Sequence, residues 1–475
     1  MKAGSDDYAA LRGEETDVVV VGAGAAGLAA AVAASTAGAE TIILEKQNKL
    51  SDTSTALSGG TLAFAGTEYQ ESRGIQDSNE LLYKDIMDIG QWQNDTELVR
   101  VYVANQLDTY HWLTGLGVRW AELQAVAGHS VPRAHFTDPL KLLYILKEAV
   151  TKLGVTVLSQ VSVTGLITDG TKRVTGVIVR ERSGNERIKV RRGVVLATGG
   201  FGRDPERLRS IDPRYPGVAA YVGKGHTGDG HRMAEELGAI FKDMKFVKPT
   251  FGFHVNSTSV AELLLLFYCG AIIVNRRGER FVNESLSYKD IGASALQQPD
   301  YIGFQIFDQK VYELAVQNAK IIEETISAAG HGMALDGTRI NLLAKADTVE
   351  GLASQIGVPI QILKETVSKY NGYVDLGKDP DFSREALTRG WGTVTRIDIP
   401  PFYAYESKPG FAATYGGLAV DKDMHVLTVH GKIPGLYAAG ELIGGFHGAS
   451  YITGSSIGKS IIFGRIAGRN TAQCR

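Results

Sequence analysis

Cysteine is nearly absent from this sequence, and neither sign of charge dominates it. Cys269 and Cys474 are the only two cysteines, which excludes a disulfide framework and a cysteine-ligated metal site. The 50 basic and 52 acidic residues almost cancel, so no nucleic-acid partner is expected. No metal site is expected either. Because haem-attachment and iron–sulfur spacings are also missing, we expect electrons to come from, or go to, an external donor or acceptor.

Long hydrophobic runs are missing as well. The most apolar run, Leu263 to Val274, is interrupted by Gly270 and is far shorter than the ~20 residues that span a bilayer. The first seven residues are polar and contain no apolar signal-peptide core. These absences predict a protein without stable membrane insertion, and we expect it to be cytoplasmic.

Glycine, in contrast, is abundant. The chain has 56 glycines among 475 residues, well above the usual ~7%. Many of them lie in turns beside apolar strands, as expected where backbone approaches a large ligand closely. A chain of this length usually forms two or three domains rather than one hydrophobic core.

The most informative segment is Asp17 to Leu28, which reads DVVVVGAGAAGL. A short buried strand is followed directly by a G-x-G-x-x-G turn and an alanine-rich helix. In such a turn Gly22 permits the tight bend, Gly24 lets a pyrophosphate approach the backbone, and Gly27 lets the helix pack on the strand. The helix N-terminus then offers free N–H groups to the phosphates.

A second apolar strand, residues 41–44, ends in Glu45. This acid follows Gly27 by about the spacing at which a carboxylate binds the adenosine ribose. Strand, glycine turn, helix and terminal acid together predict dinucleotide binding. The alternative is a purely structural βαβ turn.

Composition and hydrophobic periodicity predict the other loops, helices and strands of the chain. Residues 51–60 form a Ser/Thr/Gly-rich loop, and helical periodicity runs from about 78 to 116. A β region over 155–190 leads into an apolar strand that ends at Gly199-Gly200, and helices are expected at 362–373 and 456–470. We expect one nucleotide-binding domain, split into residues 1–238 and 413–475, with a second domain inserted at 239–412.

These elements together resemble the fumarate reductase/succinate dehydrogenase flavoprotein family, which includes the 3-ketosteroid dehydrogenases. The resemblance covers nearly the whole chain and implies an α/β fold. This is a Rossmann-like FAD-binding domain of the glutathione-reductase type with an inserted α+β capping domain. The motifs that carry it are GAGAAG at 22–27, the loop 54–60, ATGG at 197–200, TGDG at 227–230, GERFVNE at 278–284, TYGG at 414–417 and LYAAGE at 436–441.

The resemblance also implies which residues bind FAD. Glu441 is expected at the ribityl chain, and Ser455, Ser456 and Ile457 are expected near the pyrimidine end of the flavin. Members with covalent FAD attach it through a histidine in the loop after the first acid, and no histidine lies between Glu45 and Tyr110, so non-covalent FAD is expected. The full predicted set is Gly22, Gly24, Ala25, Ala26, Gly27, Glu45, Lys46, Thr53, Ser54, Thr55, Ser58, Gly59, Gly60, Val161, Ala197, Thr198, Gly199, Gly200, Asp229, Tyr415, Gly416, Gly440, Glu441, Ser455, Ser456 and Ile457.

Departures from the family pattern concern the substrate. Where fumarate reductases carry an arginine proton donor and a second arginine that binds a carboxylate, this chain has Tyr288 and Tyr451. Their two carboxylate-binding histidines align with Lys248 and with Ala412 or Ala413. A dicarboxylate needs cationic partners to offset its desolvation, so fumarate and succinate are not expected substrates.

The replacing residues are similar to the ketosteroid 4-(5α)-dehydrogenases. Tyr451-Ile452-Thr453-Gly454 matches their tyrosine–x–hydroxyl–glycine pattern, with threonine in place of the usual serine. We therefore expect an enzyme that reduces or introduces a carbon–carbon double bond beside a ketone, in a small apolar, 3-ketosteroid-like substrate. Tyr288 would move the α-proton, and Tyr451 with Thr453 would polarise the carbonyl.

Two other functions remain open at this stage. One is a reductase of α,β-unsaturated acids, with Lys248 and Arg133 holding the carboxylate. The other is a flavin electron carrier without an organic substrate. His129, Arg133 and His135 could line the cofactor or cap a loop, and His447 is expected to be a supporting or backbone-bonding group rather than an acid.

Overall fold

The computed structural model describes residues 15–180, 185–258, 260–325 and 333–474. The strands are β1 Glu15–Val21, β2 Thr41–Glu45, β3 Thr61–Ala63, β4 Leu123–Gln124, β5 Ala134–Phe136, β6 Thr156–Ser159, β7 Ser162–Thr168, β8 Val174–Arg180, β9 Asn185–Leu196, β10 Ala219–Ala220, β11 Phe241–Lys242, β12 Thr250–His254, β13 Ile272–Val274, β14 Gly303–Phe307, β15 Ala344–Ala346, β16 Phe402–Phe411, β17 Gly417–Leu418, β18 His425–Thr428 and β19 Gly431–Ala438.

Helices connect and cover these strands. They are α1 Ala25–Thr36, α2 Glu68–Glu71, α3 Asn79–Ile89, α4 Thr96–Gly115, α5 Pro139–Lys152, α6 Pro205–Ile211, α7 Asp229–Glu235, α8 Tyr288–Ala295, α9 Gln309–Thr325, α10 Gly337–Ile340, α11 Val349–Ile356, α12 Ile360–Leu376 and α13 Ser455–Gln473.

The larger sheet brings the beginning and the end of the chain together. Its path is β18-β19-β9-β1-β2-β6, and β8 and β7 extend it from β9. The strands β19, β9, β1, β2 and β6 pair in parallel, with Val18 opposite Thr41 on one side and Gly193 on the other. In parallel α/β sheets ligands bind beyond the carboxyl ends of the strands, and β1 ends at the glycine turn.

The glycine turn has the geometry that its sequence predicts. Gly22 has φ of +111°, and a Cβ there would lie 2.4 Å from the Ala197 carbonyl oxygen. A Cβ on Gly27 would lie 1.9 Å from the Gly22 carbonyl oxygen, so only glycine lets α1 begin this close to β1. At Gly24, by contrast, the nearest atom to an added Cβ is Thr55 Oγ1 at 3.7 Å, which leaves the space beside the turn open.

The last helix, α13, packs so closely against α1 that two of its glycines contact the α1 backbone. A Cβ on Gly464 would lie 2.3 Å from the Ala26 carbonyl oxygen, and one on Gly468 would lie 2.0 Å from the Ala30 carbonyl oxygen. The two glycines are four residues apart and therefore share one face of α13. This contact fixes the end of the chain beside the glycine turn.

A second sheet is built from residues in the middle of the chain. Its path is β10-β16-β14-β13, and β12 and β15 also pair with β16. All of its pairings are antiparallel except the one between β10 and β16. Two apolar clusters surround this sheet and include residues from α9, α11 and α12. This content is α+β, as expected for the inserted region, whereas the boundaries at 238 and 412 stay a prediction.

The helical region expected over about 78–116 is present, and the structure divides it into two helices, α3 and α4, separated at residues 90–95. Gln91 and Trp92 both have positive φ, and the Asp95 side chain accepts hydrogen bonds from the N–H groups of Glu97 and Leu98. Such an N-cap starts a new helix instead of extending the previous one. None of the helices in the described part of the chain combines the length and apolar character that a bilayer crossing requires.

We predict that Gly468→Ala destabilises the protein by about 1–3 kcal/mol, the usual result of inserting a methyl group into a close contact. Gly372→Ala is the matched control, because Gly372 lies in the exposed part of α12 with no atom near its Cβ position. There the same change should stabilise by up to ~1 kcal/mol. Urea unfolding midpoints measure both, and equal midpoints for the two variants would contradict the packing described here.

Candidate active site

One cavity extends from the glycine turn to the second sheet. With its open mouth included, it holds about 1810 Å³ of empty space. Its walls come from both ends of the chain and from the middle region. The cavity therefore connects the glycine turn with the inserted region of the chain.

The glycine-turn end of the cavity is shaped for a pyrophosphate. Gly22, Gly24 and Ala25 line it, and the N-cap residue of α1 is Gly24, which has no side chain to cap the helix. The Ala25 N–H donates to Thr55 Oγ1 at 3.3 Å, a long hydrogen bond. Free N–H groups at the start of a helix bind anionic oxygens well.

Glu45 is held at the end of β2 by the glycine turn itself. Its carboxylate accepts hydrogen bonds from the N–H groups of Ala23 and Gln47, both at 2.7 Å. The neighbouring Lys46 donates to Asp229 and Thr227, each at 2.5 Å. Glu45, Lys46 and Asp229 therefore form one polar rim along the predicted ribose end of the cavity.

His226 also lines the cavity, and the sequence analysis did not identify it. Its Nε2 lies 2.9 Å from Ser54 Oγ, accepts from the Gly200 N–H, and is 3.5 Å from the Glu441 carboxylate. Burial lowers the pKa of this imidazole, although Glu441 opposes the shift. The neighbouring TGDG motif at 227–230 could have suggested a role for this region, but no spacing rule pointed to the histidine.

Most of the predicted cofactor residues line the cavity. The exceptions are Gly27, Gly60, Gly200, Gly416 and Ser455. At Gly60, Gly200 and Gly416 an added Cβ would collide with neighbouring atoms, so these glycines sit behind the wall and permit close packing. The residues on the wall are Gly22, Gly24, Ala25, Ala26, Glu45, Lys46, Thr53, Ser54, Thr55, Ser58, Gly59, Val161, Ala197, Thr198, Gly199, Asp229, Tyr415, Gly440, Glu441, Ser456 and Ile457.

The far end of the cavity carries three tyrosines. Tyr288 begins α8, and its ring centroid lies 5.7 Å from that of Tyr451. The Tyr415 ring stacks on Tyr451 at 4.6 Å with an interplanar angle of 14°. The Tyr451 hydroxyl oxygen accepts the Gly454 N–H at 3.0 Å, and the Tyr288 and Tyr415 phenols also lie within hydrogen-bonding reach of it.

Thr453 adds a further hydroxyl at this end. The residue is 8% exposed and lines the cavity, and its hydroxyl lies beside the Tyr288 phenol. A hydroxyl both donates and accepts, so it can hold a polar group of a bound molecule at this end. The three predicted catalytic residues, Tyr288, Tyr451 and Thr453, are thus brought together by the fold.

Burial governs the ionisation of the tyrosines. It raises the pKa of Tyr288 and that of Tyr415 well above the usual value for a phenol, and Tyr451 is shifted in the same direction. All three phenols therefore remain protonated at neutral pH and act as hydrogen-bond donors.

Apolar side chains complete this end of the cavity. Val126, Phe136, Leu263, Leu265 and Met333 line it and belong to the same apolar cluster, against which Tyr288 also packs. Among the described residues on the cavity wall there is no arginine. This end of the cavity therefore presents an apolar surface and neutral hydrogen-bonding groups.

Comparison with known proteins supports the cofactor assignment. The FAD binding domain family matches residues 17–457. The chain belongs to this family. The probable fumarate reductase Ifc3 of Shewanella frigidimarina is 32% identical over 468 residues, covering 97% of this chain and 75% of that protein.

Two solved structures share the fold. The open conformation of a flavocytochrome c3 fumarate reductase superposes with a TM-score of 0.77 and 31% identity, covering 99% of this chain and 81% of that one. The 3-ketosteroid-Δ4-(5α)-dehydrogenase of Rhodococcus jostii RHA1, in complex with 4-androstene-3,17-dione, gives 0.76 and 28%, with 96% and 97% covered. The predicted fold, family and FAD cofactor are confirmed, and the chain is an FAD-dependent oxidoreductase acting on carbon–carbon double bonds.

The polar residues of the segment 129–135, which could line the cofactor or cap a loop, lie behind the cavity wall. Arg133 is fully buried, and it donates to Asp77 and Asp85 in hydrogen bonds of 2.8–2.9 Å. His129 Nε2 lies 2.7 Å from the Thr453 carbonyl oxygen, and His135 lies between Thr67 and the Arg133 carbonyl. These groups fix loops behind the cavity, because none of them is among its lining residues.

His447 contacts the cavity wall by packing rather than by hydrogen bonding. It was expected to be a supporting or backbone-bonding group rather than an acid, and neither ring nitrogen has a hydrogen-bond partner among the described residues. The ring packs between Tyr415, at 4.4 Å, and Phe446, at 4.8 Å. Burial lowers its pKa well below the usual value, so the imidazole is neutral.

A cluster of possible metal ligands lies at Asp421, Asp423 and His425. The Asp421 carboxylate accepts hydrogen bonds from the N–H groups of the other two residues, and it also meets the His425 ring at 3.0 Å. These bonds shape the turn before β18 and satisfy the carboxylate without a cation.

We predict that the FAD of this enzyme is released completely by acid precipitation. The loop after Glu45 contains no histidine, and on the described cavity wall His226 is the only histidine, already engaged with Ser54 and Gly200. Absorbance of the supernatant measures the released flavin against protein, and the expected ratio is about one FAD per chain. Yellow colour retained in the washed pellet would show a covalent link.

Proposed function

We propose that this enzyme reduces or introduces a carbon–carbon double bond adjacent to a ketone, in a 3-ketosteroid-like substrate. The observation that carries the proposal is the phenol-lined end of the cavity. Tyr288, Tyr415 and Tyr451 stand beside an apolar wall, and no arginine is present among the described lining residues. Neutral donors suit a carbonyl oxygen, whereas they do not offset the desolvation of a dicarboxylate.

The carbonyl of the substrate would be held at Tyr451 and Thr453. The Tyr451 oxygen is held in place by the Gly454 N–H, and its O–H would donate to the substrate oxygen. Thr453 Oγ1 is the second hydroxyl on this part of the cavity wall. Two donors aimed at one oxygen stabilise the negative charge that develops when the carbonyl becomes an enolate.

Bound FAD supplies the hydride that is exchanged with the carbon β to the carbonyl. Tyr288 would transfer the proton at the α-carbon. Because burial raises the pKa of its phenol, Tyr288 is protonated at neutral pH and is prepared to donate that proton. This state supports double-bond reduction directly, while the reverse reaction would first require Tyr288 to give up its proton elsewhere.

The unsaturated-acid alternative assigned the carboxylate to Lys248 and Arg133. Lys248 instead donates to Asp290 at 2.5 Å and to the Ala449 carbonyl at 2.9 Å. Arg133 is fully buried against two aspartates, and neither cation lines the cavity. The fumarate reductases among the relatives favour an unsaturated acid, but this chain offers no free cation at these two positions. The carrier alternative does not fit a family that acts on carbon–carbon double bonds.

We predict that a 3-keto-4-ene steroid reoxidises the photoreduced enzyme much faster than fumarate does. The expected margin is at least ~10²-fold in kcat/KM, since a buried carboxylate left without a cationic partner costs several kcal/mol. Anaerobic stopped-flow absorbance of the flavin measures both rates in the same preparation. Saturable reoxidation by fumarate at the faster rate would contradict the proposal and favour an unsaturated-acid reductase.

We predict that Tyr288→Phe slows single-turnover flavin reoxidation by about 10²–10⁴-fold without loss of FAD, because the ring is kept and only the proton donor is removed. Tyr451→Phe should slow the same step by about 10²–10³-fold. Tyr215→Phe is the control, since it removes a buried phenol that donates to the Val247 carbonyl and does not line the cavity. Normal single-turnover rates in Tyr288→Phe would refute its proton-transfer role.

A further inference from the structure

Two lysines are buried directly behind the tyrosine end of the cavity. Lys289 is 2% exposed, and its Nζ donates to the carbonyl oxygens of Lys248 and Ala413, each at 3.1 Å. Lys459 is 0% exposed, and its Nζ donates to the Ile443 carbonyl at 3.1 Å. Within the described part of the chain, neither Nζ has a carboxylate within ion-pair distance. Buried lysines are rare, and burial without an ion-pair partner is rarer still.

Lys289 lies immediately behind a residue of the cavity wall. Its Nζ is 4.9 Å from the centroid of the Tyr415 ring, and the Ala413 carbonyl that it contacts belongs to another lining residue. Lys459 is one turn along α13 from the lining residues Ser456 and Ile457. The Lys289 ammonium group is therefore one side chain away from the cavity, and Lys459 lies on the helix whose first turn lines it.

The surroundings of the two lysines contain little compensating charge. The charged group that acts on both is Glu441, whose carboxylate already accepts hydrogen bonds from the Thr414 N–H and hydroxyl. Asp243 acts on Lys459 only, and its carboxylate accepts the N–H groups of Gly445 and Gly448. Among the described residues, the Tyr415 ring lies beside Lys289, and the charges of both lysines act on His447; this phenol and this imidazole are neutral.

We propose that Lys289 and Lys459 raise the reduction potential of bound FAD by placing positive charge behind the cavity wall. Reduced flavin carries negative charge, and charge near the ring is one of the means by which proteins tune a flavin. Charges act strongly across a few ångströms in a dry interior, where water does not screen them. The inference concerns the cofactor and holds for any double-bond substrate, so it stands apart from the proposed function.

Protonation of the lysines supports this role. Burial lowers the pKa of Lys289 to about 7 and that of Lys459 to about 8, with Glu441 opposing both shifts. Each lysine is charged below its own pKa and loses the charge as the pH rises through it. Negative charge on reduced flavin would raise both values, so reduction should be linked to proton uptake by these lysines.

The direct test is the midpoint potential of FAD in purified enzyme, measured against reference dyes without any substrate. Lys289→Gln and Lys459→Gln keep a hydrogen-bond donor and remove the charge. Each Gln variant should have a midpoint potential at least about 30 mV lower, which for a two-electron couple is a tenfold shift toward oxidised flavin. Lys289→Arg retains the charge, so its midpoint potential should stay close to that of the unaltered enzyme. Lys152→Met, at a 73% exposed side chain, is the control and should change nothing.

A second measurement uses the unaltered enzyme and does not depend on whether a variant folds. Between pH 6 and 9 the midpoint potential should fall more steeply with pH above about pH 7 than below it. Each extra proton that the enzyme takes up on reduction steepens this slope by about 30 mV per pH unit, which is a tenfold change in the equilibrium constant. A change of less than about threefold in both Gln variants would overturn the proposal, as would a single slope across this pH range. A shift in only one variant would overturn the role of the other lysine.

Discussion

A close contact between glycines of α13 and the backbone of α1 brings the first and last helices together beside the FAD cavity. Gly464 and Gly468 on α13 meet the carbonyl groups of Ala26 and Ala30 on α1. The first turn of α1 forms the predicted pyrophosphate end of the cavity, and the first turn of α13 lines it at Ser456 and Ile457. The distance between these two helices therefore sets how the cavity holds both parts of a dinucleotide. Larger side chains at the contact would move the two walls apart.

Exclusion of water determines the chemistry at the other end of the cavity. Burial keeps the phenols of Tyr288 and Tyr451 protonated, and it makes the charge of Lys289 easier to lose. In such a setting an unpaired carboxylate is unfavourable, while a carbonyl gains from neutral donors. In our proposals the buried lysines act on the cofactor through their electric field rather than by direct contact. The proposed substrate preference and the proposed cofactor tuning both follow from the low polarity of the wall.

Much of the fold could be predicted from local sequence. The glycine turn after β1, the acid at the end of β2 and the long final helix each follow from a short pattern with a known geometry. The break between α3 and α4 was missed because it depends on the Asp95 cap and on positive φ at Gln91 and Trp92, which periodicity does not reveal. His226 and the two buried lysines were missed for another reason: their burial depends on tertiary contacts between distant segments. The tyrosine roles came from a family resemblance and remain predictions.

The central claim is that the enzyme transfers hydrogen to a carbon–carbon double bond beside a ketone. The most direct test is mass spectrometry and NMR of the product formed from a 3-keto-4-ene steroid by photoreduced enzyme in D₂O. Our account predicts a saturated ketone with one deuterium at the former β-carbon and one at the α-carbon, with the carbonyl intact. Recovery of unchanged steroid, or of an alcohol with deuterium on the carbonyl carbon, would contradict it.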